Sequence, residues 1–149
     1  MDRAAIAALE ARLGMPANDP LEPQCVKLVE ALNRLPGITT TASCGCCSGD
    51  PEAPDPYYVA LETDTVSALL PIATVLRRPS LSGWVFAVIA WAGLTPPLRV
   101  RFSLRYWPDP DMPTQARQAE AQRESEKLAK HIRRAARQLG GSGQPGASD

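Results

Sequence analysis

The sequence predicts an α+β fold: a mixed, largely antiparallel sheet with helices packed on one face and a long C-terminal helix. Three observations predict it. Helical and extended patterns are interleaved in the order α-α-β-β-α-β-β-α. The two late extended stretches adjoin one another, as an antiparallel pair requires. A long polar periodic segment follows them. The 149 residues, 44% hydrophobic and 5% aromatic, supply one core and not two, so residues 1–139 read as a single domain.

Asp2 can cap a first helix carrying Ile6, Leu9 and Leu13, closed by Gly14. Met15 to Leu21 reads as a loop. A second helix runs from about Pro23 to Leu35, with Cys25, Leu28, Val29 and Leu32 forming one stripe at i, i+3, i+4 and i+7. Pro36-Gly37 stops it. Ile38 to Ser43 is β-branched and extended, and runs straight into the loop Cys44-Gly45-Cys46-Cys47-Ser48-Gly49-Asp50. A Pro-rich loop over 51–56 leads to a strand from Tyr57 to Thr63. Asp64 caps a third helix in which Pro71 predicts a kink or a restart. Trp84 to Trp91 is apolar throughout, a strand covered on both faces. From Leu98 to Trp107, Val100, Phe102 and Leu104 alternate with Arg99, Arg101, Ser103 and Arg105: a half-buried strand with arginines on its other face. Thr114 caps the last helix, which reaches about Leu139. Residues 140–149 are Gly/Ser-rich and read as a disordered tail.

Sixteen basic residues balance sixteen acidic ones, so the chain as a whole is no polyanion binder. The charge is unevenly placed: from Arg99 to Gln138 there are ten basic and five acidic residues. That segment is either a solvated helix face with a few ion pairs or a site for an anion or acidic partner. No apolar run reaches the ~18 residues of a membrane span, and the N-terminus lacks the apolar region of a secretory signal. A cytoplasmic protein with reduced cysteines is expected.

Three chemical readings compete for the cysteine loop, beside the bland one of a tight turn with small buried thiols. A zinc site would use three thiols within four residues, yet the second ligand pair such sites prefer is missing. A thiol nucleophile would need a base, and His131 is the only histidine. The third reading is an anion-holding backbone nest, with the hydroxyls of Thr39, Thr41, Ser43 and Ser48 as added donors alongside Cys44 and Gly49. Arg99, Arg101 and Arg105 on one strand face would repel unless offset by Glu62 or by an anion bound through bidentate contacts. The candidate ligand site therefore comprises Thr39, Thr41, Ser43, Cys44, Ser48, Gly49, Arg99, Arg101 and Arg105, with no catalytic residue, no metal and no cofactor. Trp84, Trp91, Trp107, Tyr57 and Tyr58 sit mostly at strand ends, as a core rim or as a stacking platform. On the last helix, Leu128, Ile132, Ala135 and Leu139 form a narrow seam, which predicts either a docked C-terminal half with a projecting first turn or, the favoured outcome, packing against a second copy.

The run from Leu28 to Cys44, LVEALNRLPGITTTASC, resembles a group of uncharacterised phage and bacterial proteins that share an "LPGI-x-TT-x-SC" segment. Later stretches, Tyr57 to Leu61, Trp84 to Phe86 and Pro97 to Leu104, are similar to theirs in order. The same segment is distantly similar to the wybutosine-synthesis methyltransferase family, whose loop reads like TTSSCSGR, with Asp50 here in place of its basic residue. That likeness implies S-adenosylmethionine and a tRNA base. Thr39-Thr40 and Ser48-Gly49-Asp50 also resemble a turn of phage sponge proteins that sequester cyclic-nucleotide immune signals. The combined expectation is non-catalytic sequestration of a small anionic, nucleotide-like ligand, by a phage-encoded inhibitor of host immune signalling. The alternatives are a methyltransferase relative and a structural or partner-binding protein. Neither a membrane nor a nucleic acid strand is an expected partner; a homo-oligomer is.

Overall fold

The structure, a computed structural model, describes residues 21–45, 56–92 and 99–141. The expected N-terminal helix, the Cys46–Gly49 turn with Ser48 and Gly49, the Pro-rich loop and the tail beyond Gly141 lie outside the described residues. The elements are α1 (Val26–Asn33), β1 (Ile38–Gly45), β2 (Tyr57–Thr63), α2 (Leu70–Leu76), β3 (Trp84–Ala92), β4 (Arg99–Tyr106) and α3 (Thr114–Gly141). Short 3-10 turns at Val66–Leu69 and Pro79–Leu81 flank α2. The four strands form one sheet in the order β1-β2-β4-β3, every neighbouring pair antiparallel. This is the α+β arrangement the sequence predicts, with the long helix at its end.

The core lies between one sheet face and the helices. Tyr57, Val59 and Leu61 of β2 and Leu104 of β4 are fully buried there with Leu28, Leu32, Leu128 and Ile132. Each such side chain contributes about 1.5–3 kcal/mol by leaving water. The α1 stripe is as the spacing predicts: Cys25, Leu28, Val29 and Leu32 are all buried. Trp84 meets Tyr57 edge-on at 5.7 Å and Tyr106 at 5.5 Å, so these strand-end aromatics pack into the core. Pro71 marks a restart: the chain makes a 3-10 turn to Leu69, and α2 begins with the proline in its first turn, where its missing N–H costs nothing.

Three expectations are corrected. Cys44 and Gly45 belong to β1, paired with Tyr58 and Tyr57, so the strand extends into what reads as a loop. β3 is an edge strand with Val85 and Val88 about half exposed, not a strand covered on both faces; its uniform apolarity gives no hint of this. The seam of α3 is spent inside the chain: Leu128 and Ile132 are fully buried in the shared core, because α3 packs on both α1 and α2. Ile132 is therefore not a subunit-interface residue.

Candidate functional site

On the sheet face away from the core helices, register fixes which sequence-predicted residues meet. Thr39 lies opposite Glu62, and Glu62 opposite Arg101. Cys44 lies opposite Tyr58, and Tyr58 opposite Arg105. Two strand spacings, about 10 Å, thus separate Thr39 from Arg101 and Cys44 from Arg105. Ser103 sits between the arginines, and its hydroxyl accepts a bond from Arg105 Nε at 3.1 Å. Arg101 Nε donates to Glu62, whose side chain is only 10% exposed. The offset to that arginine is therefore Glu62, one of the two that the sequence allows.

Thr41 and Ser43 do not join that row. The register shifts between Thr40 and Ala42, leaving Thr41 as the extra residue of a bulge. Beyond the bulge the alternation resumes one residue late. Ser43 then pairs with Val59 on the core side and lies beside the Cys25 thiol. Of Arg99 only the backbone, paired with Ala92, is described.

A second site is one the sequence reading missed. A cleft of about 280 Å³ runs between α2 and the C-terminal half of α3. Its walls are apolar, from Leu70, Pro71 and Val75 on one side and Ala135 and Leu139 on the other. Arg78, His131 and Arg134 also line it, and the described residues that line it include no Asp or Glu. His131 Nδ1 is buried and has no hydrogen-bond partner among the described residues. Burial first, and then the Arg78, Arg134, Lys130 and Lys127 charges, hold the imidazole below its ordinary range. Pro71, Thr74 and Val75 share one face of α2 at i, i+3 and i+4, with Arg78 just past its end, and His131, Arg134, Ala135 and Gln138 share one face of α3 at i, i+3, i+4 and i+7. That pattern is in the sequence, but apolar periodicity alone does not select it.

No family model matches the chain, and neither a curated protein nor a solved structure matches it. The sheet face and the cleft differ in charge balance. The sheet face neutralises Arg101 internally. The cleft gathers two guanidiniums and an imidazole over apolar walls, with no Asp or Glu among the described residues that line it, the composition of a small-anion pocket. Among the described residues no group of three His, Cys, Asp or Glu can hold a metal. Cys25 is no candidate nucleophile, since burial pushes its thiol up to about 12. No helix among the described residues is long and apolar enough to cross a membrane.

Proposed function

We propose that this protein is a non-catalytic binder of a small anionic, nucleotide-like ligand, held in the cleft between α2 and α3. The observation that carries the reading is the meeting, in an apolar cleft, of Arg78, Arg134 and a His131 Nδ1 that, among the described residues, has no hydrogen-bond partner and no carboxylate lining the cleft with it. Its volume lies just under the ~300–1,000 Å³ of ordinary small-molecule pockets, which suits one small ligand rather than a polymer strand. Leu70, Pro71, Val75 and Leu139 offer apolar lining for a base or similar ring. The test is a thermal-shift series with 5′-AMP, cyclic nucleotides and S-adenosylmethionine. A ligand at a hundredfold excess over Kd adds about 2.7 kcal/mol of stability. Arg134→Ala should abolish a nucleotide shift; a shift with S-adenosylmethionine alone would favour the methyltransferase reading instead.

A second reading, self-association, is supported by Val66, Leu70 and Leu139, which are 79%, 64% and 49% exposed. Leu70 and Leu139 also line a shallower groove with Pro36 and Ala68. On this reading the subunit contact uses the last turn of α3 and not Ile132. Light scattering of wild type and Leu139→Asp decides it: a monomeric wild type at tens of micromolar ends it.

A further inference from the structure

We propose that the cleft selects a phosphate monoester and that His131 takes up a proton as the ester binds. The inference rests on the anionic-ligand reading above and names the ligand class and its control.

The geometry supplies two kinds of positive group. Arg78, just past the end of α2, and Arg134, on α3, are permanent charges. Two fixed charges match a dianion, whereas a phosphodiester or a carboxylate leaves one of them unbalanced. His131 is the third, adjustable group. The leading charges that act on it are positive: Arg78 from the end of α2, then Arg134, Lys130 and Lys127 from its own helix, the last paired with Glu124 at 2.8 Å. Its ring is therefore mostly neutral near pH 7, and its Nδ1 has no hydrogen-bond partner among the described residues. A dianion seated between Arg78 and Arg134 offsets their charges at the ring and brings acceptor oxygens to it. Opposite charge at ~4–6 Å favours the protonated imidazole. The second ring proton comes from solvent, and no covalent bond to the ligand forms or breaks. Linkage then requires the reverse: acidification strengthens binding by the factor by which the ligand strengthens proton affinity.

The chain has one histidine, so its imidazole gives a single Cε1–H resonance to follow in the full-length protein. Saturating 5′-AMP should raise the midpoint of that resonance by about one pH unit or more, a tenfold change in proton affinity. Inorganic sulfate, a dianion that does not itself titrate in this range, should bind severalfold tighter at pH 6 than at pH 8, with about tenfold as the limit reached below the free imidazole's midpoint. Cyclic AMP, a monoanionic diester, should bind at least about tenfold more weakly than 5′-AMP. His131→Gln should keep a folded cleft and bind sulfate with no pH dependence. If neither 5′-AMP nor sulfate binds, or Arg134→Ala binds them as wild type does, the anionic-ligand reading fails and takes this inference with it. If binding depends on Arg134 but the midpoint stays put and sulfate affinity is flat with pH, the reading stands and the proton uptake is wrong. Equal affinity for cyclic AMP and 5′-AMP would refute the selection for a monoester.

Discussion

Asn33 holds Thr40 by two bonds: its Nδ2 donates to the Thr40 hydroxyl at 2.7 Å, and its Oδ1 accepts the Thr40 amide at 3.2 Å. The same Nδ2 also donates to the Val29 carbonyl at 2.8 Å, inside the last turn of α1. One side chain therefore ties the end of α1 to β1 across the Pro36-Gly37 turn. Asn33→Ala removes all three bonds and leaves the buried Thr40 amide unpaired. We expect a loss of about 2–3 kcal/mol, from the desolvated donor and the lost bonds together. Thr40→Val keeps the amide bond and should cost only about 1 kcal/mol. Urea melts of both variants check this, and neither should change affinity for a bound nucleotide.

Gly37 has φ +76°, the left-handed region that L residues avoid, and a Cβ there would sit 3.3 Å from the Ala68 Cβ. Gly37→Ala should therefore cost about 1–2 kcal/mol from backbone handedness, with crowding in addition. The urea midpoint should fall with the m-value unchanged.

Together these two positions explain what was legible. The string LNRLPGITT that carries the resemblance is, in this chain, the clamp and turn of a helix-to-strand connection. Its Asn, Gly and second Thr serve the backbone. Elements were legible where one face is buried, as in α1 and β4, because alternation or helical spacing writes burial into the sequence. β3 misled because an apolar edge strand and an apolar central strand have the same composition. The site was harder still. A one-residue bulge at Thr41 turns Ser43 to the core, and no local pattern encodes that slip. The α2–α3 cleft pairs positions nearly sixty residues apart, so neither helix alone announces it.

The Arg101–Glu62 pair makes a prediction about stability rather than binding. Glu62 is nearly buried and Arg101 is about half exposed. Arg101→Ala leaves a poorly hydrated carboxylate without its guanidinium. The cost should be about 1–2 kcal/mol, below the ~3–5 of a fully buried pair because water reaches the arginine. In a double-mutant cycle, Glu62→Gln with Arg101→Ala should recover part of that loss. Affinity for 5′-AMP should be unchanged in Arg101→Ala and reduced at least about tenfold in Arg134→Ala. The opposite ranking would put the ligand on the sheet.

Cys25 should be chemically silent in the folded protein. Its thiol is buried and pushed up to about 12, so almost none is thiolate at pH 8. Iodoacetamide followed by peptide mass mapping should leave Cys25 unmodified in native buffer and modify it in 6 M guanidinium. An unfolded thiol ionises near about 8.5, and the folded one does not. Cys25 therefore also makes the fold less stable as pH rises above that value.

Acid should destabilise the protein in two separable steps. In the first, His131 is held below its ordinary range by burial and by neighbouring cations. The unfolded chain protonates this ring first, near pH 6.5, so the unfolded state gains protons that the folded state refuses. Stability is complete above about pH 6.5 and declines as pH falls below it. In the second step, Glu126 is held below the usual carboxylate range, chiefly by the hydrogen bond from Lys27 Nζ at 2.7 Å. That contribution is present above about pH 4.3, the unfolded value, and is lost as pH falls through the lower folded one. Lys27 and Glu126 are 53% and 38% exposed, so the second step is small and salt-sensitive. The first keeps most of its size in 1 M salt, because burial is its largest cause. Urea midpoints measured from pH 8 to pH 3 should resolve both. His131→Gln should flatten the curve between about pH 6.5 and 5, and Glu126→Gln should flatten it below about pH 4.3. A wild-type curve already flat from pH 7.5 to 5.5 would mean the imidazole is not held neutral, and that the field assigned to the cleft is absent.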